Sequence, residues 1–317
     1  MKDEKQKVVL IGTGFVGMSY AYALLNQNVC NELALIDIDK KKAEGEAMDL
    51  NHGLAFSGKN MRIYAADYDT CADADIVVIC AGVSQKPGES RPDLLGRNTA
   101  VFRSIVAPVL KSGFSGIFLV ATNPVDVMTH VVHTLSGFPH QRVIGTGTTL
   151  DTARLRFLLG EYFSIDPKNV HAYVIGEHGE SEFVPWSQAM LGTKSVHGII
   201  NLYGDRFKTS DMEQISEKVK NAAQEIIAAK QSTYYGIGMS LVRITKAILG
   251  NENSILTVSA YLDGEYGERD VYAGVPCVIG RSGVRGQLTL ELTELELLKM
   301  KQSCDILREY YKDTNLS

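Results

Sequence analysis

The sequence predicts an α/β protein in which a doubly wound parallel sheet is followed by a second, α+β region. Three observations carry this expectation. Short apolar runs rich in β-branched residues alternate with helical patterns through the first 147 residues. A glycine-rich stretch, Gly12-Thr13-Gly14-Phe15-Val16-Gly17, joins the first such run to the first helical pattern. After Gly147 the regular alternation stops, and longer helical patterns give way to strand-like runs. A chain of 317 residues exceeds a usual single core, so two closely packed domains are expected, 1–147 and 148–317.

Lys7 to Ile11 is a short, nearly continuous apolar run and reads as a buried strand. The helical pattern after the glycines runs to about Gln27, and a second strand, Glu32 to Ile36, ends in Asp37. Further strands fit Met61 to Ala65, Ile76 to Ala81, Gly116 to Ala121 and Arg142 to Ile144. In the second half a helix is expected from about Leu150 to Phe163, then a strand from Val170 to Ile175. A long helix from Met212 to Tyr235, continuing to about Leu249, precedes strands at Ser254 to Tyr261 and Val271 to Ile279. Lys, Glu and Leu in the last segment predict an amphipathic C-terminal helix.

The spacing of the first two strands identifies a ligand class. In a GxGxxG that follows a strand and opens a helix, Gly12 permits the tight turn and Gly14 lets the backbone approach a pyrophosphate. Gly17 permits close packing of helix on strand. The helix N-terminus offers free N–H groups to the anion. Asp37, twenty residues beyond Gly17, can accept hydrogen bonds from a ribose diol and would repel a 2′-phosphate, which favours NAD over NADP. This is a Rossmann-type sheet, and it places ligand across the carboxyl ends of the strands, where Gly82, Val83, Asn123 and Thr146 fall.

Composition narrows the function classes. A net charge of −5 gives no broad basic field for nucleic acid. No apolar run approaches the roughly 20 residues of a membrane span, and the leader MKDEKQK lacks a signal-peptide core, so a cytoplasmic protein is expected. The five cysteines are scattered without CxxC spacing, so neither a disulfide framework nor a metal site is expected.

The candidate catalytic residues are polar side chains in unusual settings. His178 sits between two glycines in Val174-Ile175-Gly176-Glu177-His178-Gly179-Glu180, and an uncrowded imidazole near carboxylates suits proton transfer near neutral pH. Asp151 and Arg154 share one face of a helical first turn. That spacing also describes an ordinary ion pair at a helix N-terminus. Beside His178, however, Asp151 could hold the imidazole and stabilise its cation, while the planar fork of Arg154 could grip a carboxylate. The loop Gln85 to Asp93 follows the fourth strand and could close over a substrate, with Arg91 polarising a carbonyl. A plain solvated loop has the same composition.

The motifs GTGFVG, QKPGESR, VATNPVD, GTGTTLDTARLR, GEHGE and TYYGIG occur in this order. In them the chain resembles the lactate/malate dehydrogenase family, and within it the bacterial L-lactate dehydrogenases, from about residue 7 to residue 300. The resemblance implies hydride exchange between NADH and pyruvate, giving L-lactate and NAD⁺. It also implies His178 as proton donor and acceptor, Asp151 as its partner, Arg154 as carboxylate anchor and Arg91 as the loop arginine that stabilises alkoxide charge. Asn123 matches an asparagine touching nicotinamide and substrate, and Thr233 a residue bordering the substrate. Val16, Lys42, Tyr68, Gly82, Val83, Ala121 and Thr146 match cofactor-contact positions.

The family divides at the position of Gln85, where its malate dehydrogenases carry arginine. A neutral glutamine leaves a second substrate carboxylate without a counter-charge, so pyruvate is favoured over oxaloacetate. Pro92 stands where many relatives carry leucine and is expected to bias Arg91 toward extended backbone, altering loop closure. Ser84 and Glu180 also depart from the usual asparagine and aspartate. Arg156 and His171 resemble positions that bind fructose 1,6-bisphosphate between subunits, which implies activation through a homotetramer. A malate or broader 2-hydroxyacid dehydrogenase is the alternative enzyme, and a non-catalytic NAD-binding protein the alternative from another class.

Overall fold

A computed structural model describes residues 6–316 except 59, 84–87, 89 and 205, with Arg91 described by its backbone alone. In the first half β1 (Lys7–Ile11), α1 (Phe15–Gln27), β2 (Glu32–Ile36), α2 (Lys40–Gly53) and β3 (Arg62–Ala65) follow in order. Then come β4 (Ile76–Ile79), α3 (Arg91–Lys111), β5 (Ile117–Val120), α4 (Val125–Ser136) and β6 (Val143–Gly145). These six strands are parallel and stand in the order β3-β2-β1-β4-β5-β6. Strands β1, β2, β4 and β5 are buried throughout, as expected of a sheet covered by helices on both faces. Strand order reverses at β1, which pairs with β2 on one side and β4 on the other, and in such sheets ligands bind outside the strands' carboxyl ends at this point.

The second half contains α5 (Thr149–Phe163), β7 (Val170–His171), β8 (Met190–Leu191), β9 (Lys194–Ser195), α6 (Val196–Leu202), α7 (Thr209–Lys230) and α8 (Tyr235–Leu249). It ends with β10 (Ser254–Asp263), β11 (Arg269–Gly280), β12 (Gly283–Gln287) and α9 (Glu294–Lys312). Strands β10 to β12 do not build a separate sheet. They run antiparallel and extend the first one, β10 meeting β6 through Ser259 and Gly145. Helix α9 starts at a reciprocal cap in which Thr293 and Glu296 satisfy each other's backbone N–H groups.

Two expected elements differ. The continuous helix from Met212 to Leu249 is two helices, because Gln231 adopts left-handed backbone, φ 72°, and ends α7. The strand expected over Val170 to Ile175 is ladder-paired only at Val170 and His171. Beyond that point the Val174 N–H donates to Thr152 Oγ1 at 2.9 Å and its carbonyl accepts from Thr148 Oγ1 at 2.6 Å. The segment leading to His178 is therefore bolted to α5 by two hydroxyls.

Candidate active site

The turn after β1 fits a dinucleotide. Gly12 has φ +100°, and a Cβ built on it would stand 2.5 Å from the Ala81 backbone nitrogen beyond β4. A Cβ on Gly17 would stand 2.0 Å from the Gly12 carbonyl oxygen, so α1 packs against the turn only without one. Gly14 is different: nothing lies within 4 Å of its Cβ position, leaving open space at the helix N-terminus. The first helical hydrogen bond runs from Met18 N–H to Gly14 O, so the amides of Phe15, Val16 and Gly17 precede it.

Asp37 closes the far side. Its carboxylate accepts from Thr13 N–H at 2.7 Å, Thr13 Oγ1 at 2.8 Å and Asp39 N–H at 3.0 Å. Burial opposes its charge, but the Thr13 and Asp39 donors hold its pKa below the ordinary value. A fixed anion with remaining acceptor capacity suits a ribose diol and opposes a phosphate there. Tyr68 is half-buried and within the electrostatic reach of Asp37, while Lys42, exposed at the start of α2, favours the Asp37 charge. Along the strand ends, Ala121 N–H donates to Ile79 O and Thr146 N–H to Val120 O. Val83 N–H donates to Asn98 Oδ1 at 2.9 Å, and Gly82 lies where a Cβ would stand 2.4 Å from Thr122 Cγ2.

Three of the four candidate catalytic residues, Asp151, Arg154 and His178, line one cavity of about 620 Å³ together with Asn123, Glu182 and Lys220 among others, while the side chain of Arg91 lies outside what is described. Asp151, in the first turn of α5, is buried. Its Oδ1 accepts from Arg154 Nη1 at 2.8 Å and its Oδ2 from His178 Nδ1–H at 2.6 Å. A carboxylate can only accept, so the proton lies on Nδ1 and Nε2 is left for chemistry. The histidine backbone is fixed as well: His178 N–H donates to Asp126 Oδ2 of α4 at 2.8 Å, and Glu177 N–H to Ser303 Oγ of α9 at 2.6 Å.

Charge sets the proton affinities. Burial disfavours the imidazolium, yet the Asp151 carboxylate, with Glu182 and Asp126, raises His178 to about 9. Asp151 is lowered although burial opposes its charge, because His178 and Arg154 flank it. Burial pushes Glu182 up to about 8 and Asp126 to about 6. Asp151, His178 and Glu182 form the one His/Cys/Asp/Glu cluster with grouped donor atoms among the described residues. Its Asp151 oxygens are already engaged by Arg154 and His178.

Not every expected residue joins this cavity. Thr233 lies in the break between α7 and α8 and does not line it. Gln85 lies outside the described residues, as does Ser84. The bias of Arg91 toward extended backbone is not observed. Arg91 is the first residue of α3, which Ser90 caps, and Pro92 occupies the first turn, where its missing N–H costs no helical hydrogen bond. Arg156 donates to the carbonyls of Pro167 and Lys168, in the turn just before β7, and His171 is exposed on that strand. No local pattern singles out Glu182 or Asp126, which reach His178 through tertiary contacts alone.

A dinucleotide crevice beside a carboxylate-held histidine and an arginine defines an NAD-dependent oxidoreductase. The chain belongs to the lactate/malate dehydrogenase family: that family's NAD binding domain matches residues 6–145 and its alpha/beta C-terminal domain residues 148–315. The chain is 55% identical over 311 residues to an L-lactate dehydrogenase of Geobacillus sp. (strain WCH70), covering 97% of each chain. A crystal structure of a lactate dehydrogenase from a Medee basin deep-sea metagenome library superposes with TM-score 0.96 at 53% identity, covering 98% of this chain and 99% of that one. The minor L-lactate dehydrogenase of Enterococcus mundtii, in its ligands-bound form, superposes with TM-score 0.95 at 48% identity, covering 97% and 98%. Among the described residues no helix is long and apolar enough to cross a membrane.

Proposed function

We propose that this protein is an L-lactate dehydrogenase that interconverts pyruvate and L-lactate, with residues 1–147 binding NAD and residues 148–317 supplying the substrate site. The observation that carries the reading is the His178–Asp151 hydrogen bond of 2.6 Å in one cavity with Arg154 and Asn123. Arg154 anchors the substrate carboxylate while Asp151 keeps the guanidinium in place. His178 holds a proton on Nε2 and gives it to the keto oxygen, and Asp151 stabilises the cation before that step. The hydride comes from the reduced nicotinamide when that cofactor is bound. Asn123 orients the reacting carbonyl, Arg91 offsets charge developing on its oxygen, and Thr233 borders the substrate. Gln85 selects the methyl of pyruvate over a second carboxylate.

The cofactor contacts are read as Gly12, Gly14, Val16 and Gly17 at the pyrophosphate and Asp37 at the ribose. Lys42, Tyr68, Gly82, Val83, Ala121, Asn123 and Thr146 follow the crevice. Regulation is part of the proposal: fructose 1,6-bisphosphate binds at Arg156 and His171 between subunits and favours an active homotetramer. The short span from the Arg156-bound turn to exposed His171 supports this placement. The setting is cytoplasmic, as the last step of lactate fermentation.

The test is NADH oxidation with pyruvate and with oxaloacetate, each with and without fructose 1,6-bisphosphate. Preference for pyruvate, raised by the bisphosphate, is expected. Preference for oxaloacetate removes Gln85 as selector, no effect of the bisphosphate removes the effector site, and no turnover of either removes the catalytic reading.

A further inference from the structure

Glu182 enters the catalytic cluster from the return of the His178 turn. Ile175 and Phe183 exchange backbone hydrogen bonds of 2.9 and 3.0 Å, and this closure carries Glu182 back beneath His178. A donor atom from each of Asp151, His178 and Glu182 then lies within 4.8 Å of the others. Glu182 is only 4% exposed and lines the same cavity as Arg154. Among the described residues no donor forms a hydrogen bond to its carboxyl group. A carboxyl in the wall of a site built for a substrate carboxylate calls for a function.

The charges around it supply one. Asp151 and Arg154 face it from α5, Lys220 and Glu217 from α7, and Glu177, His178 and Glu180 from its own segment, with Asp126 of α4 behind His178. An ionised Glu182 sets a second carboxylate beside that of the bound 2-oxo acid and competes with it for Arg154 and protonated His178; a protonated Glu182 does neither.

We propose that Glu182 gates the carboxylate site: the 2-oxo acid anion binds to the form in which Glu182 carries a proton. Binding then takes up a proton at Glu182 in addition to the one that His178 must hold. Burial and the Asp151 charge, which push this carboxyl up to about 8, place the gate in an accessible pH range. A dicarboxylate faces the same gate with two negative charges, so an ionised Glu182 disfavours it more than a monocarboxylate. The proposal rests on the reading of Arg154 as the carboxylate anchor.

The probe is oxamate, the amide isostere of pyruvate, titrated into the NADH-loaded enzyme from pH 6 to 10. For the unaltered protein the dissociation constant should climb toward about 100-fold per pH unit on the alkaline side, the mark of two linked protons. Calorimetry in buffers of different ionisation enthalpy should give an uptake above one proton per oxamate beyond about pH 9, given groups titrating near 8 and 9. Glu182→Gln should climb only about tenfold per unit, with uptake of one proton or less, while Glu182→Asp keeps the steeper limb. An unaltered enzyme that never exceeds tenfold per unit and one proton overturns the gate, whatever the variants do. Failure of oxamate to bind at pH 6 overturns instead the reading of the substrate site.

Discussion

Replacing Asp151 by asparagine keeps the shape of the catalytic pair and removes its charge. Asp151 Oδ2 accepts the His178 Nδ1 proton at 2.6 Å, and this carboxylate is the largest of the influences that raise His178 from 6.5 to about 9. Burial acts the other way, so without the charge the imidazole should titrate at or below its ordinary value. Pyruvate reduction needs the protonated histidine, so one step of its alkaline fall lies at the His178 midpoint, beside the separate step proposed for Glu182. That midpoint should move down by about 2.5 pH units or more in Asp151→Asn. At pH 7.5 nearly all of the unaltered enzyme is protonated, against at most about a tenth of the variant. The titration alone then lowers kcat/KM about tenfold, equivalent to about 1.4 kcal/mol. Lactate oxidation needs the neutral histidine, and its acid midpoint should move by the same amount, because both directions share one group. The assay is kcat/KM in both directions from pH 5 to 10, with a melting curve to establish that the variant is folded. A folded variant whose two midpoints stay within about half a unit of the original would refute the pairing as the cause of the raised pKa.

Three further predictions use other parts of the structure. Gly17→Ala places a Cβ 2.0 Å from the Gly12 carbonyl oxygen, so the turn must open. Loss of NADH binding in a fluorescence titration is expected, by about tenfold or more, at a stability cost on the order of 1–3 kcal/mol. Asp37→Ser removes the fixed anion at the end of β2 and should raise relative kcat/KM for NADPH over NADH, and an unchanged ratio would dismiss Asp37 as the discriminating residue. His130 of α4 stacks on Tyr311 of α9 at 3.7 Å, with Tyr272, Tyr261 and His133 around it, and burial together with the His133 charge lowers it to about 4. Its folded pKa lies below the unfolded 6.5, so the unfolded chain binds the proton first and stability is lost as pH falls from 6.5 toward 4. His130→Phe keeps a ring against Tyr311 and should shrink the fall in Tm between pH 7 and 4.5; an equal fall would exclude His130 as a source of acid lability.

What could be read from the chain follows the range over which each feature is determined. The crevice was legible because turn, helix start and acidic strand tip all lie between Gly12 and Asp37, and each glycine answers a contact made within that unit or with its neighbouring strand. The pairing of Asp151 with Arg154 is helical geometry, equally local. His178 is legible as a candidate and Asp151, 27 residues away, as its partner, but the contribution of Asp126, 52 residues away, is not. Glu182 looks in sequence like one more acid in an acidic loop, and only the Ile175–Phe183 closure turns it inward. The misread strand has the same origin. Val170 to Ile175 has the composition of a ladder strand, yet the backbone of Val174 finds its partners in the hydroxyls of Thr148 and Thr152, which no periodicity encodes. The missed helix break reflects a left-handed residue that is a glutamine, where glycine or asparagine would have announced the stop. Strands β10 and β11 carry correct local signals and β12 is not expected, while the attachment of all three to the first sheet depends on one antiparallel contact of Ser259 with Gly145, the residue two before the expected boundary. The catalytic cavity sits where these non-local closures meet: α5 begins just past that contact, and the hydroxyls of its first turns hold the segment that presents His178.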